Sequence, residues 1–109
     1  MPDDLARLDA TAQAQLVRTG QISPRELVEA AIRRLERLNP QLNAVIHPAL
    51  EQARERAAAP DLPAGPFRGV PCVMKDIGGA EAGRPYHCGM GFLKAARWTE
   101  RADSYFTQK

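Results

Sequence analysis

Residues 65–79 read GPFRGVPCVMKDIGG, and this stretch decides how the whole chain is interpreted. Its centre, residues 70–74, is an apolar run that leads directly into Lys75 and Asp76. Buried strands of mostly parallel sheets often have this composition. We therefore predict a strand over about residues 70–74, with Pro71 at its start or at a sheet edge because proline donates no ladder hydrogen bond.

The clearest helix signal precedes this stretch, over about residues 23–38. Ser23 is a favoured N-cap, and Glu26 is placed to return the second hydrogen bond of a capping box. The helix should end at Asn39, because a residue before proline is disfavoured in helical geometry. One apolar stripe at helical spacing predicts the buried face: Leu27, Val28, Ala31, Ile32, Leu35 and Leu38.

Two further helices are predicted on either side of this one. The first covers about residues 9–19, with Asp9 as N-cap and Gly20 as terminator. The other covers about residues 48–58 and opens at Pro48. Together with the strand, they predict an α/β fold in which N-terminal helices pack on the first strands of a larger mixed β-sheet.

The C-terminal third is a glycine-rich loop followed by a helical pattern. The loop, GGAEAGRPYHCGMG, favours irregular, exposed backbone of the kind that often carries function. A helix is predicted from about Thr99, and no capping residue follows it before Lys109. We interpret residues 1–109 as the N-terminal portion of a single domain.

Composition excludes several functions. The formal charge of +2 is too small to indicate a nucleic-acid surface. No secretory signal or run of ~20 apolar residues is present, which predicts a cytoplasmic protein without a membrane partner. Two cysteines and two histidines lack the close spacing of metal ligands, so we expect no metal and no cofactor: Cys72, Cys88, His47 and His87.

Lys75 is the one candidate for chemistry, and its position allows two interpretations. A lysine at a strand end can be desolvated, which favours the neutral amine that a general base requires. Alternatively, its stem covers apolar surface while the ammonium reaches water, which is the commoner behaviour. Asp76 would oppose the first role if it touched the ammonium, but it could instead bind local backbone amides.

Residues 65–79 resemble the Gly-Val-Pro segment and Lys-Asp pair of the amidase signature family. The predicted second helix with NPQLNAV is similar to the family's N-terminal helix, and Asp103 stands where the family has an aspartate that opens its next helix. The resemblance runs in order over nearly the whole chain. It implies that Lys75 is the proton-transferring lysine of a Ser-cisSer-Lys triad.

The resemblance also shows what this sequence does not contain. The family's glycine-rich segment with both serines has no counterpart, and the only serines are Ser23 and Ser104. We therefore expect the N-terminal part of an amidase that acts on linear amides, inactive alone, whose partners are a small-molecule amide substrate and the remainder of the domain. The alternative is a non-catalytic protein-interaction module on the same scaffold. Whether the protein is a homo-oligomer is left open.

Overall fold

The computed structural model describes residues 4–109. The chain divides into two units, a first that ends at Cys72 and a second, Val73–Lys109. Within residues 4–109, no helix combines the length and the apolar character needed to cross a membrane.

The first unit is built from helices. A short 3₁₀ helix, Leu5–Arg7, precedes α1 (Ala10–Arg18), α2 (Pro24–Leu42) and α3 (Leu50–Ala58). The long helix α2 is the central element, because it contacts both α3 and the 3₁₀ helix. At the start of α1, the side chain of Asp9 accepts a hydrogen bond of 2.8 Å from the backbone of Ala12.

The N-terminus of α2 is fixed by the predicted capping box. The Ser23 hydroxyl accepts from the Glu26 backbone N–H at 3.2 Å, and the Glu26 carboxylate accepts from the Ser23 backbone N–H at 2.9 Å. The backbone N–H of Ser23, and after it the Ser23 hydroxyl that donates to the same carboxylate at 2.7 Å, hold the pKa of Glu26 below its ordinary value. Two N–H groups that a helix start leaves without intrahelical partners are thereby satisfied.

Replacing Ser23 by alanine should destabilise α2 by about 0.5–2 kcal/mol, because the Glu26 N–H loses its acceptor. Amide hydrogen exchange in the first turn of α2 is the measurement, and Ser23→Asp, which keeps a capping oxygen, is the control. Because folding lowers the pKa of Glu26, its carboxylate contributes to stability at pH values above the ordinary glutamate pKa. This contribution is lost as the pH falls through the lowered pKa of the folded state. Equal exchange rates in wild type and Ser23→Ala would contradict this account.

The C-terminus of α2 differs from the prediction. The helix does not end at Asn39 but continues through Pro40 to Leu42, and Asn43 terminates it with a left-handed φ of 47°. The Asn39 side chain supplies the reason, since its oxygen accepts from the backbone N–H groups of Ala44 and Val45, both at 2.9 Å. These hydrogen bonds hold the residues that follow the helix close to Asn39, so the helical turn that contains Pro40 is retained.

The core of the first unit lies along α2. Leu27, Val28 and Ile32 are buried as the stripe predicts, and Ala30 is buried beside them. Leu38, in contrast, is 43% exposed, so the buried face is shorter than the apolar pattern.

Helix α3 is tied to α2 by charge. The Arg54 guanidinium donates to Glu29 at 2.7 Å and also contacts Glu51. The hydrogen bond from Arg54 is the main cause of a lowered pKa for Glu29. Because these groups are partly solvated, the pair fixes geometry more than it adds stability.

The predicted strand at residues 70–74 is not formed. None of the residues 4–109 belongs to a β-strand, and Val73 is 75% exposed. A strand needs a neighbour to satisfy its backbone groups, and none is offered within residues 4–109. The larger mixed sheet therefore stays a prediction.

The predicted helix from Thr99 is also wrong. Thr99 forms an isolated antiparallel bridge with Pro85, and residues 105–108 form a turn. The backbone of Glu100 is engaged with Arg84 and Gly83, at 3.0 and 2.8 Å, so it is not available to a helix. A short helix that the pattern did not predict, α4 (Gly91–Ala95), precedes this segment.

Candidate active site

Lys75 lies at the end of a segment without regular secondary structure, immediately before a turn over residues 76–78. Its side chain is exposed, so residues 4–109 alone do not enclose the amine. The backbone is held closely, however. A Cβ added to Gly79 would lie 2.9 Å from the carbonyl oxygen of Lys75 and 3.2 Å from its nitrogen, so only glycine fits without displacing the lysine.

Asp76 fastens the turn to the glycine-rich loop. Its Oδ1 accepts from the backbone N–H of His87 at 3.0 Å, and its Oδ2 accepts from that of Gly89 at 3.4 Å. The expectation that Asp76 binds backbone amides is therefore met, but the amides are not local. They lie 11 and 13 residues further along the chain.

Tyr86, which lies in the glycine-rich loop, contacts the turn that follows Lys75. Its phenolic oxygen accepts from the backbone N–H of Gly78 at 2.6 Å. Gly78 has a φ of +89°, a conformation that side chains rarely adopt. Sequence reasoning did not single out Tyr86, because its partner is set by the fold of the loop and no motif marks it.

The far side of the loop is supported by the end of the chain. Asp103 accepts from the backbone of Ala82 at 2.8 Å, and the backbone N–H of Ser104 donates to Ala80 at 2.9 Å. The Thr107 hydroxyl donates to the same carbonyl of Ala80 at 2.7 Å. The predicted helix-opening role of Asp103 is thus replaced by a loop-fixing one.

The remaining residues considered from sequence do not join Lys75. Cys72 is exposed and Cys88 is half-buried, and both are free thiols. Ser23 caps α2, and the Ser104 hydroxyl hydrogen-bonds the Thr107 hydroxyl at 2.9 Å. Among residues 4–109, no cluster of three histidine, cysteine or acidic residues could hold a metal ion.

Comparison with known proteins places this geometry in a family of hydrolases. The sequence model of the amidase family matches residues 26–109, which is more than half of the chain. The chain therefore belongs to the amidase family, and the resemblance noted from residues 65–79 is confirmed.

Individual relatives agree with this assignment. The chain is 42% identical over 101 residues to the 6-aminohexanoate-cyclic-dimer hydrolases of Pseudomonas sp. and Paenarthrobacter ureafaciens. It is 48% identical over 69 residues to one component of the glutamyl-tRNA(Gln) amidotransferase of Alkalilimnicola ehrlichii, covering 59% of this chain and 14% of that protein.

A solved structure shares the fold. A 6-aminohexanoate cyclic dimer hydrolase complexed with substrate matches with a TM-score of 0.84 at 42% identity, over 93% of this chain and 20% of that one. The sequence match to the two 6-aminohexanoate-cyclic-dimer hydrolases also covers 93% of this chain. The chain spans only 20% of the length of those hydrolases.

Proposed function

We propose that this chain is part of an amidase, and that Lys75 transfers protons during hydrolysis of a carboxylic amide to an acid and an amine or ammonia. The observation that carries the proposal is the backbone of Lys75, fixed by Gly79 and flanked by the Asp76 contacts, in a chain of the amidase family. A primary amine that extends from this fixed backbone can act as a general base once it is desolvated.

The proposed chemistry follows from the triad that the resemblance implies. The neutral Lys75 amine accepts a proton from a bridging serine, which takes the proton of the nucleophilic serine as that oxygen attacks the carbonyl carbon. The carbon–nitrogen bond breaks, and the leaving amine receives the proton. Water then hydrolyses the serine ester and releases the acid.

The two serines are expected outside this sequence. Ser23 and Ser104 are its only serines, and both make local hydrogen bonds in helix caps and turns. We therefore propose that the chain alone has no amidase activity and that the remainder of the amidase domain supplies the nucleophile. This remainder would also cover the exposed apolar side chains of the second unit, among them Val73, Ile77 and Phe92.

Two properties of the whole protein stay predictions, its cytoplasmic location and the absence of a nucleic-acid partner. Its substrate class is a separate question. The sequence led us to expect linear amides, whereas two relatives are named for a cyclic dimer of 6-aminohexanoate. The interaction-module alternative gains no support from these similarities.

The proposal is tested by assaying the full-length protein on a matched pair of amides, a linear primary carboxamide and the cyclic dimer of 6-aminohexanoate. We expect release of ammonia or amine from at least one of them. Hydroxylamine added during turnover should yield a hydroxamate, because an acyl-enzyme is intercepted by the stronger nucleophile. Absence of hydrolysis on both, in a folded protein, would argue against the amidase assignment.

A further inference from the structure

Two side chains, one on each side of the loop that follows Lys75, accept hydrogen bonds from backbone N–H groups of the other side. Asp76, next to the lysine, accepts from the backbone of His87 and Gly89, at 3.0 and 3.4 Å. Tyr86, next to His87, accepts from the backbone of Gly78 at 2.6 Å. Each side of the loop thus holds the backbone of the other, and we refer to Asp76, Gly78, Tyr86, His87 and Gly89 as the clasp.

We propose that Asp76 and Tyr86 are positioning residues for Lys75, an inference that rests on the proposed function. Neither side chain is assigned a reaction step. They fix the segment 75–79, and with it the point from which the lysine side chain extends.

Three contacts constrain this point. The lysine backbone packs against Gly79, its next neighbour Asp76 is bound to two amides, and Gly78 is bound to Tyr86. Loss of one contact allows the turn over residues 76–78 to move relative to the loop. A misplacement of ~1 Å at a reacting group can reduce turnover about 100-fold, since the proton must travel along a short hydrogen bond.

The clasp also engages both oxygens of the Asp76 carboxylate. The two N–H donors from His87 and Gly89 give each oxygen of Asp76 a backbone partner. The carboxylate is therefore engaged with the loop that it anchors.

The test uses Asp76→Ala and Tyr86→Phe in the full-length protein. For Asp76→Ala we expect kcat to fall about 100-fold with KM within about threefold. For Tyr86→Phe, which removes a single hydrogen bond and no charge, we expect a fall of roughly fivefold. In Tyr86→Phe, which leaves the charge of Asp76 in place, the rising limb of the pH–rate profile should move to higher pH, because a better hydrated ammonium holds its proton more tightly. A purely structural role would leave this limb in place.

Matched controls are Asp61→Ala and Tyr105→Phe, which alter exposed residues outside the clasp. Both variants should retain the wild-type kcat and the wild-type position of the rising limb of the pH–rate profile. If Asp76→Ala does not fold, Tyr86→Phe decides the matter alone. If the clasp variants behave like the controls while Lys75→Ala is inactive, Asp76 and Tyr86 are not positioning residues. The amidase proposal is not affected by that result. Activity that persists in Lys75→Ala would instead overturn the proposed function and this inference with it.

Discussion

Replacing Lys75 by alanine should lower kcat of the full-length amidase by about 100- to 10,000-fold, the range expected for loss of a general base. No other titratable side chain is proposed for this proton transfer. The lysine side chain is exposed within residues 4–109, so its removal should leave the fold of these residues intact. Steady-state kinetics with circular dichroism separates loss of chemistry from loss of fold.

Two companion variants sharpen this expectation. Lys75→Arg keeps the positive charge but cannot lose its proton near neutral pH, so it should be as inactive as Lys75→Ala. Lys94→Ala removes an exposed lysine of α4 and should retain wild-type turnover. Near-normal turnover of Lys75→Ala would contradict the general-base role. It would support the alternative in which the stem of Lys75 covers apolar surface while its ammonium reaches water.

Replacing Leu27 by alanine should destabilise α2 by about 2–5 kcal/mol, the largest stability effect expected in the first unit. Leu27 is only 1% exposed, so alanine would leave a cavity in the core that lies along α2. Helix α2 contacts both α3 and the 3₁₀ helix, so the whole first unit should open more readily. Amide hydrogen exchange along α2 in the full-length protein measures this directly.

The matched control is Leu42→Ala at the exposed end of the same helix. Leu42 is 66% exposed, so its removal should change stability by no more than about 0.5 kcal/mol. Equal effects of the two substitutions would show that the buried face of α2 is not where the structure places it.

The starts of α1 and α2 could be predicted because their signals are local, whereas α3 begins at Leu50 and not at the predicted Pro48. Asp9 and Ser23 bind N–H groups three residues away, so each cap can be identified within one helical turn. The end of α2 was mispredicted for the same reason. The hydrogen bonds to the Asn39 side chain come from residues five and six positions further along. The rule that a helix ends before proline considers only the residue next to the proline, so it does not include these bonds.

The sequence predicted only part of the arrangement around Lys75, and the role of Lys75 itself stays a prediction. Lys75 was identified by its place after the Gly-Val-Pro segment, and the family assignment that this resemblance suggested is confirmed. Tyr86 was not identified, because a tyrosine in a glycine-rich loop carries no local signal for its partner. The strand at residues 70–74 failed for a different reason, since an apolar pattern predicts strand propensity but cannot supply a neighbouring strand.

The sequence by itself determined the family, and it determined the starts of α1 and α2, whose signals lie close together in the chain. It also made Lys75 the candidate for chemistry, a role that stays a prediction. Only the tertiary structure decided how the loop after Lys75 is held. Its hydrogen bonds join residues 8, 11, 13, 21 and 27 positions apart. Such pairings depend on which backbone groups the folded chain brings together, and composition and periodicity do not encode that choice.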